Sequence, residues 1–298
     1  MLNIVGRKKV WFVISGIAVA AAIIAMVGFG FKESAEFKGG TLWEFSALAD
    51  HPTLQAVQSE FATLGVAGSE VTMDSQHQTF IARFNIIDEP THQALLAKLK
   101  TQWPSFQELS FQSIGPSVGA SVKKNAIIAI ILVLVGISLY IACAFRKTSR
   151  PVSSWKYGWI TLLTLFHDVV IPAGLLAVLG HYRGVEIDTN AIVALLVVMG
   201  FSVHDTIVVF DRVRENLLQN RGKEPFAKVV NDSVNQTFGR SVNTSLTLIL
   251  VLVALLVVGP ANLWYFMLTL LVGVTTGIYS SIFVASPMLV ALSPKENR

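Results

Sequence analysis

The sequence predicts an α-helical polytopic membrane protein with six transmembrane helices and one inserted α+β ferredoxin-like domain. Three observations indicate this fold class. Hydrophobic residues make up 53% of the 298-residue chain and charged residues only 14%, whereas soluble domains carry about 25% charged residues. Six apolar runs are each long enough, at about 20 residues, to approach or cross a bilayer. A more polar stretch, residues 32–122, separates the first run from the second.

The first apolar run spans Val10–Phe31 and follows Arg7, Lys8 and Lys9. A cleaved signal peptide is the competing interpretation, but its apolar region would span only about 7–15 residues. About 20 residues cross the hydrocarbon core of a bilayer. We therefore expect residues 1–31 to form a cytoplasmic tail and an uncleaved first transmembrane helix.

Residues 32–122 combine strand and helix patterns. The expected strands are Phe37–Phe45, Val71–Asp74, Thr79–Phe84 and Phe106–Ile114, and the expected helices are Thr53–Leu64 and Pro90–Trp103. The resulting order, β-α-β-β-α-β, is that of a ferredoxin-like domain. The Gly39-Gly40 pair lies inside the first expected strand, where it indicates a bulge or a close backbone approach.

Residues 123–298 are predicted to form a bundle of five further transmembrane helices. The apolar runs are Asn125–Phe145, Gly158–Leu179, Thr189–Asp211, Val242–Val258 and Leu263–Ala291. Apolar residues also recur at helical spacing just after Pro225, between the third and fourth of these runs. Two interpretations of this segment stay open. It is a helix lying in the cytoplasmic membrane interface, or a loop helix that packs on the bundle.

The distribution of basic residues predicts the orientation in the membrane. Most of them fall in segments that the six helices place on one side: Arg7, Lys8, Lys9, Arg146, Lys147, Arg150, Lys156, Arg212, Arg214, Arg221, Lys223, Lys228, Arg240, Lys295 and Arg298. Cytoplasmic loops carry an excess of Lys and Arg. We therefore expect both termini in the cytoplasm, the inserted domain outside, and the protein in the cytoplasmic (inner) cell membrane.

Two ionisable residues, His204 and Asp205, lie inside the fourth apolar run, where such residues indicate a function by default. Asp205 precedes Arg212, at the membrane edge, by about 10 Å of helix rise. A carboxylic acid at that depth is either protonated or paired with a cation, and a proton carrier alternates between these states. Arg240, at the start of the fifth helix, is the candidate cation. A static structural pair is the alternative.

A second pair, His167-Asp168, lies near the middle of the third helix, and Pro172 follows it. A proton relay and a structural hydrogen bond between helices are both open for this pair. Cys143 is the single cysteine, so the chain forms no internal disulfide and no Cys/His metal cluster. No nucleotide-binding or nucleophile motif occurs. We expect no cofactor other than protons as the coupling ion, and no catalysed covalent reaction.

The stretch Gly200–Asn216, GFSVHDTIVVFDRVREN, resembles the signature of the SecF branch of the SecD/SecF family of protein-export membrane proteins, in the resistance-nodulation-division superfamily. Supporting matches are Phe37–Thr41, the His167-Asp168 pair, Arg240–Ser245 and the Ser286-Pro287 pair. The resemblance covers nearly the whole chain. By motif position, Asp205 matches the proton-carrying aspartate of the family and Arg240 its essential arginine. The family commonly has Asn where this chain has His204.

The resemblance implies a proton-driven auxiliary subunit of the Sec protein-export machinery. It implies partnership with SecD and a small accessory subunit, and action with the SecYEG channel and, indirectly, SecA. The substrate would be an unfolded exported polypeptide at the lipid bilayer, with no nucleic acid involved. Two other classes stay open: half of a small-molecule or lipid exporter of the same superfamily, and a purely structural assembly subunit.

Overall fold

The computed structural model describes residues 2–47, 49–66, 69–74, 79–146, 152–220 and 223–293. In chain order its elements are α1 (Lys8–Phe29), α2 (Ala35–Lys38), β1 (Gly40–Ser46), α3 (Leu54–Thr63), β2 (Glu70–Asp74), β3 (Thr79–Phe84), α4 (Glu89–Gln102), β4 (Gln107–Ile114), α5 (Pro116–Ala144), α6 (Ser154–Arg183), α7 (Thr189–Asn220), α8 (Phe226–Val258), α9 (Trp264–Ser280), a π-helical turn (Ser281–Ala285) and α10 (Ser286–Ala291). The chain forms two compact units, one of Met1–Lys32 with Ile128–Arg298 and one of Glu33–Ile127.

The described residues include the six long apolar helices that the sequence predicts. The candidate membrane spans are Val5–Phe29, Pro116–Ala144, Ser154–Arg183, Thr189–Asn220, Phe226–Val258 and Trp264–Ala291. In α6, 56% of the most apolar window is buried inside the protein, against 11% in α5. Hence α6 belongs to the interior of the bundle, and α5 presents most of its surface outward.

Small residues let the central helices approach closely, as is usual in membrane bundles. A Cβ atom added to Gly174 of α6 would lie 2.6 Å from the Cα atom of Ala22 in α1. A Cβ atom added to Gly273 of α9 would lie 2.1 Å from a methyl carbon of Val198 in α7. These contacts fix α1 against α6 and α7 against α9.

The segment after Pro225 packs on the bundle and is not a separate helix. It continues without interruption into the fifth transmembrane helix, so that α8 runs from Phe226 to Val258. Val230 and Val234 are buried in the same apolar cluster as Phe210 of α7. The interfacial helix and the predicted start at Val242 are therefore wrong. The physical reason is that no proline interrupts the segment, and its polar residues are compatible with a helix.

The first residues of the chain lie against α8. The backbone N–H of Leu2 donates to Oδ1 of Asn235 (2.8 Å), and the N–H groups of Ile4 and Val5 donate to Oδ1 of Asn231 (3.0 and 3.2 Å). Ile4 is buried in the apolar cluster of the bundle. The segment that leads into α1 is thus attached to the polar half of α8.

The unit Glu33–Ile127 has the predicted ferredoxin-like fold. Its four-stranded sheet has the order β2-β3-β1-β4, and every neighbouring pair is antiparallel. Trp43 and Phe45 of β1, Phe61 of α3 and Leu99 of α4 are fully buried in one aromatic core. Helix α4 begins where the Asp88 side chain accepts a hydrogen bond from the Thr91 backbone N–H, a common N-cap arrangement.

The first predicted strand begins too early. Ala35–Lys38 form a single helical turn, and β1 starts only at Gly40. Gly39 and Gly40 have φ values of +81° and +136°, which favour glycine. A Cβ atom on Gly39 would lie 2.8 Å from the backbone of Pro116. The glycine pair therefore permits the close backbone approach that its sequence indicated.

Several helix ends extend beyond the apolar runs that predicted them. Helix α5 begins at Pro116 and passes through the expected domain boundary at residue 122. Helix α7 continues past Asp211 to Asn220. Proline suits the first turn of a helix, and polar residues continue a helix where no glycine or proline ends it. Hydrophobicity marks the membrane-crossing part of each helix but not its ends.

Candidate functional site

A fully buried polar site in the bundle is centred on Asp168, which is 0% exposed. Its Oδ1 atom lies 2.7 Å from Nδ1 of His167. Its Oδ2 atom accepts hydrogen bonds from the hydroxyls of Ser202 (2.5 Å) and Ser280 (2.7 Å). These hydroxyls come from α7 and α9, so a single carboxylate joins three helices.

Asp205 lies on the same helix as Ser202 and is 6% exposed. Its Oδ2 atom is buried without a hydrogen-bond partner. The hydroxyl of Ser241 in α8 is likewise buried without a hydrogen-bond partner. Asp205 is therefore a buried acid near the middle of α7, with an unsatisfied carboxyl oxygen.

In the structure, Asp205 is not paired with Arg240, its candidate cation. Within the described ranges, no ion pair joins Asp205 to Arg240, whose side chain is exposed on α8. His204 is exposed on α7, while Asp205 points into the bundle. The two neighbours therefore face different surroundings, as their angular separation on a helix predicts. The expected Asp205–Arg240 pair is absent from this arrangement of the helices.

A layer of hydroxyl groups lies between the two acids. Thr206 Oγ1 is 2.8 Å from Ser281 Oγ, and it also donates to the Ser202 carbonyl oxygen (3.1 Å). Ser202 donates to Asp168, and Ser281 follows Ser280 directly. Hydrogen bonds thus connect Asp168 of α6, through Ser202, to Thr206, the residue that follows Asp205 in α7.

The last membrane helix changes geometry at this layer. Ser281–Ala285 form a π-helical turn, and Ser286 Oγ donates to the Ser281 carbonyl oxygen (2.9 Å). Pro287, in the first turn of α10, has no N–H group and crowds the preceding turn. π-Helical turns inside α-helices occur frequently at functional sites.

Beyond Asp205, polar side chains tie α7 to α8. Arg212 donates to Gln236 (2.6 Å) and to Glu215 (2.6 Å). Asn216 donates to Ser233 and to the same glutamine (2.8 and 3.0 Å). This contact fixes the two helices at the end where their apolar residues give way to charged ones.

The sequence singled out His167, Asp168, His204, Asp205 and Arg240. In the structure, the side chains of His167 and Asp168 are in hydrogen-bond contact at 2.7 Å. Sequence reasoning did not single out the hydroxyl-bearing residues Ser202, Thr206, Ser241, Ser280 and Ser281. The available signal was their occurrence inside apolar helices, and for Ser202 its spacing of three residues from Asp205 on α7. Within the described ranges, no cluster of three or more His, Cys, Asp or Glu side chains is arranged to hold a metal ion.

The fold and the site define a class: multi-pass membrane proteins that bury isolated carboxyl groups at helix contacts and carry a ferredoxin-like insertion. Residues 94–295 match the family described as "Protein export membrane protein SecD/SecF, C-terminal". The chain therefore belongs to the SecD/SecF family.

Curated relatives and a solved structure agree with this assignment. The protein translocase subunit SecF of Thermobaculum terrenum is 40% identical over 99% of this chain and 95% of its own length. The SecF subunit of Sebaldella termitidis is 35% identical over 98% and 92%. The crystal structure of SecDF, a translocon-associated membrane protein from Thermus thermophilus, is similar with a TM-score of 0.82 at 32% identity. That similarity covers 97% of this chain and 38% of the SecDF chain.

Proposed function

We propose that this chain is the SecF-type subunit of a protein translocase. With SecD, it uses the proton-motive force to promote late steps of preprotein translocation across the cytoplasmic membrane. A role in protein export follows from its relatives, which are protein translocase subunits. The observation that carries the proton-driven role is the buried Asp205 carboxyl group, whose Oδ2 atom has no partner.

The partnership with SecD is supported by relatives in which both parts form one chain. The protein translocase subunit SecDF of Bacillus subtilis is 30% identical over 97% of this chain, which spans 38% of that protein. SecYEG, SecA acting indirectly, a small accessory subunit and the unfolded exported polypeptide complete the proposed assembly. In this assignment the chain catalyses no covalent reaction, and protons are its only coupling ion.

In the proposed mechanism, Asp205 takes up and releases the proton. An ionised carboxylate buried without a cation costs several kcal/mol, so the unpaired arrangement fits the protonated acid. When α8 moves so that Arg240 reaches the carboxyl group, their ion pair offsets that cost and the proton leaves. His204 is a titratable neighbour on the exposed face of α7, and the His167-Asp168 pair belongs to the same proton pathway. Whether Asp205 carries a proton thereby determines which of two helix arrangements is favoured, the one with Arg240 away from the carboxyl group or the one with Arg240 beside it.

The proposed orientation places both termini in the cytoplasm and Glu33–Ile127 outside. It rests on the basic residues at one set of helix ends, including Lys156, Arg212 and Lys228. Five of the basic residues that support it, Lys147, Arg150, Arg221, Lys295 and Arg298, lie outside the described residues.

Export into membrane vesicles, with and without a proton gradient, tests this function. We expect Asp205→Asn, which mimics the protonated acid permanently, to assemble with SecD and to lose gradient-dependent stimulation. Arg240→Met should lose it as well, because the carboxylate then has no cation. His204→Asn restores the common family residue and should retain most activity, with at most a shifted pH optimum, so it serves as the matched control.

The other two functional classes give different results. A purely structural subunit would retain full gradient-dependent stimulation in Asp205→Asn. Half of a small-molecule or lipid exporter would co-purify with a second transporter half instead of with translocase subunits. Mass spectrometry of the partners isolated in mild detergent distinguishes these cases.

A further inference from the structure

The imidazole of His167 is held by only one of its two nitrogens. Nδ1 lies 2.7 Å from the Asp168 carboxylate, whereas Nε2 is buried and has no hydrogen-bond partner. A neutral imidazole that donates from Nδ1 carries its lone pair on Nε2. In that tautomer, Nε2 is a buried basic nitrogen, aimed away from the carboxylate that orients the ring.

The Asp168 carboxylate is fixed independently of the histidine. Ser202 and Ser280, 1% and 0% exposed, both donate to Oδ2. Hydrogen bonds to an ionised acceptor are about twice as strong as neutral ones. The two serines determine the position of Asp168, and their two donors on Oδ2 favour its ionised form.

The net charge of the His167-Asp168 pair then depends on whether Nε2 of His167 carries a proton. With the lone pair free, His167 and Asp168 together carry one negative charge. In the described part of the chain, no Lys, Arg or second carboxylate forms an ion pair with either residue. One proton on Nε2 makes an imidazolium that balances Asp168, so proton binding neutralises a buried charge.

The elements that enclose His167 add one further titratable group. The Tyr279 ring of α9 stacks on the imidazole with a centroid distance of 6.1 Å. The Tyr279 hydroxyl donates to the Trp11 carbonyl oxygen and accepts from Ser15, at 3.2 Å each. Helix α1 thereby contributes uncharged groups, as α7 does through Ser202.

We infer that the His167-Asp168 pair is a proton-binding site separate from Asp205, in which Nε2 of His167 binds a proton that comes from the aqueous phase. Asp168 remains the anion throughout, and Ser202 and Ser280 are positioning residues that hold it. This inference rests on the proposed function, because it assigns the site to the same proton pathway. It assigns proton binding to His167 and the fixed negative charge to Asp168.

Nitrogen-15 NMR of the full chain in lipid nanodiscs, with labelled histidine, tests the site without measuring export. We expect neutral His167 to carry its hydrogen on Nδ1 and to become an imidazolium as the pH is lowered. The Ser202→Ala and Ser280→Ala variants should each shift the midpoint by about one pH unit. Ser286→Ala removes a buried hydroxyl that donates only to backbone and should leave the midpoint unchanged.

The resonance is assigned by its loss in His167→Gln, or by its shift in Asp168→Asn if the first variant does not fold. A neutral imidazole with its hydrogen on Nε2, or the absence of titration, would overturn the inference. The titration should persist in Asp205→Asn; its loss there would show that the two sites are not separate. Failure of the export test in Asp205→Asn leaves this NMR result unaffected, so the two proposals fail independently.

Discussion

Substituting Gly273 with Ala should open the contact between α7 and α9. The added Cβ atom would lie 2.1 and 2.7 Å from the two methyl carbons of Val198, both shorter than a van der Waals contact. Overpacking of this kind costs about 1–3 kcal/mol, while replacing glycine in a helix returns up to about 1 kcal/mol. Because a separation of 2.1 Å is a severe clash, the cost should lie in the upper part of that range, about 2–3 kcal/mol. We therefore expect a net loss of about 1–2 kcal/mol in unfolding free energy.

Val198→Ala should rescue this variant. It removes both clashing methyl groups and leaves the Val198 Cβ atom 3.0 Å from the new Cβ. Alone, Val198→Ala should be destabilising, since each lost methyl group contributes about 0.8 kcal/mol. The double variant should be more stable than the sum of the single effects indicates, by about 1–3 kcal/mol.

Unfolding of the full chain in mixed detergent micelles, followed by circular dichroism, measures these free energies. Gly136→Ala is the control, because a Cβ atom there meets nothing within 4 Å. Gly273→Ala should also weaken export, since Ser202 lies one turn from Val198 on α7 and donates to Asp168, which also accepts from Ser280 of α9. A Gly273→Ala protein as stable as the native chain, or a coupling below about 0.5 kcal/mol, would refute this explanation of the packing.

Three further predictions concern the orientation and the inserted unit. A cysteine probe at Gln76, which lies outside the described residues, should be labelled from outside the cell and one at Lys223 should not; the reverse pattern would refute the topology. Hydrogen bonds from Ser105 hold the pKa of Asp50 below its ordinary value. The contact therefore stabilises the fold fully at pH values above the unfolded-state pKa of about 3.9. This stabilisation is lost as the pH falls through the lower pKa of the folded state. Hydrogen exchange at Ser105 measures this loss, and protection unchanged by acid would contradict it. Leu99→Ala should cost about 2–5 kcal/mol in denaturant unfolding, because Leu99 is 0% exposed; a loss below 1 kcal/mol would argue against that core.

Local sequence patterns sufficed for most of the fold. Apolar runs predicted all six membrane helices, because hydrocarbon thickness sets their length. Segments with strand-like and helix-like spacing of apolar residues alternate along residues 32–122, and this order predicted the ferredoxin-like unit. These patterns misplaced the start of β1, because the backbone conformation of Gly39 depends on a contact with Pro116, far away in the chain.

Sequence patterns predicted the acids of the candidate site but not the residues that contact them. Asp205 and Asp168 stand out because ionisable groups are rare in apolar helices. The convergence of Ser202 and Ser280 on Asp168 depends on how three helices cross, which no local pattern encodes. The separation of Arg240 from Asp205 likewise depends on the arrangement of α7 and α8, and not on their sequences alone.

Proton occupancy of Asp205 is the central claim, and infrared difference spectroscopy tests it most directly. Spectra of the reconstituted complex with SecD are recorded with and without a proton gradient. A carboxylic acid C=O band should respond to the gradient in the native protein and in Asp168→Asn, and should be missing in Asp205→Asn. A gradient-dependent band that survives Asp205→Asn and is lost in Asp168→Asn would contradict the account.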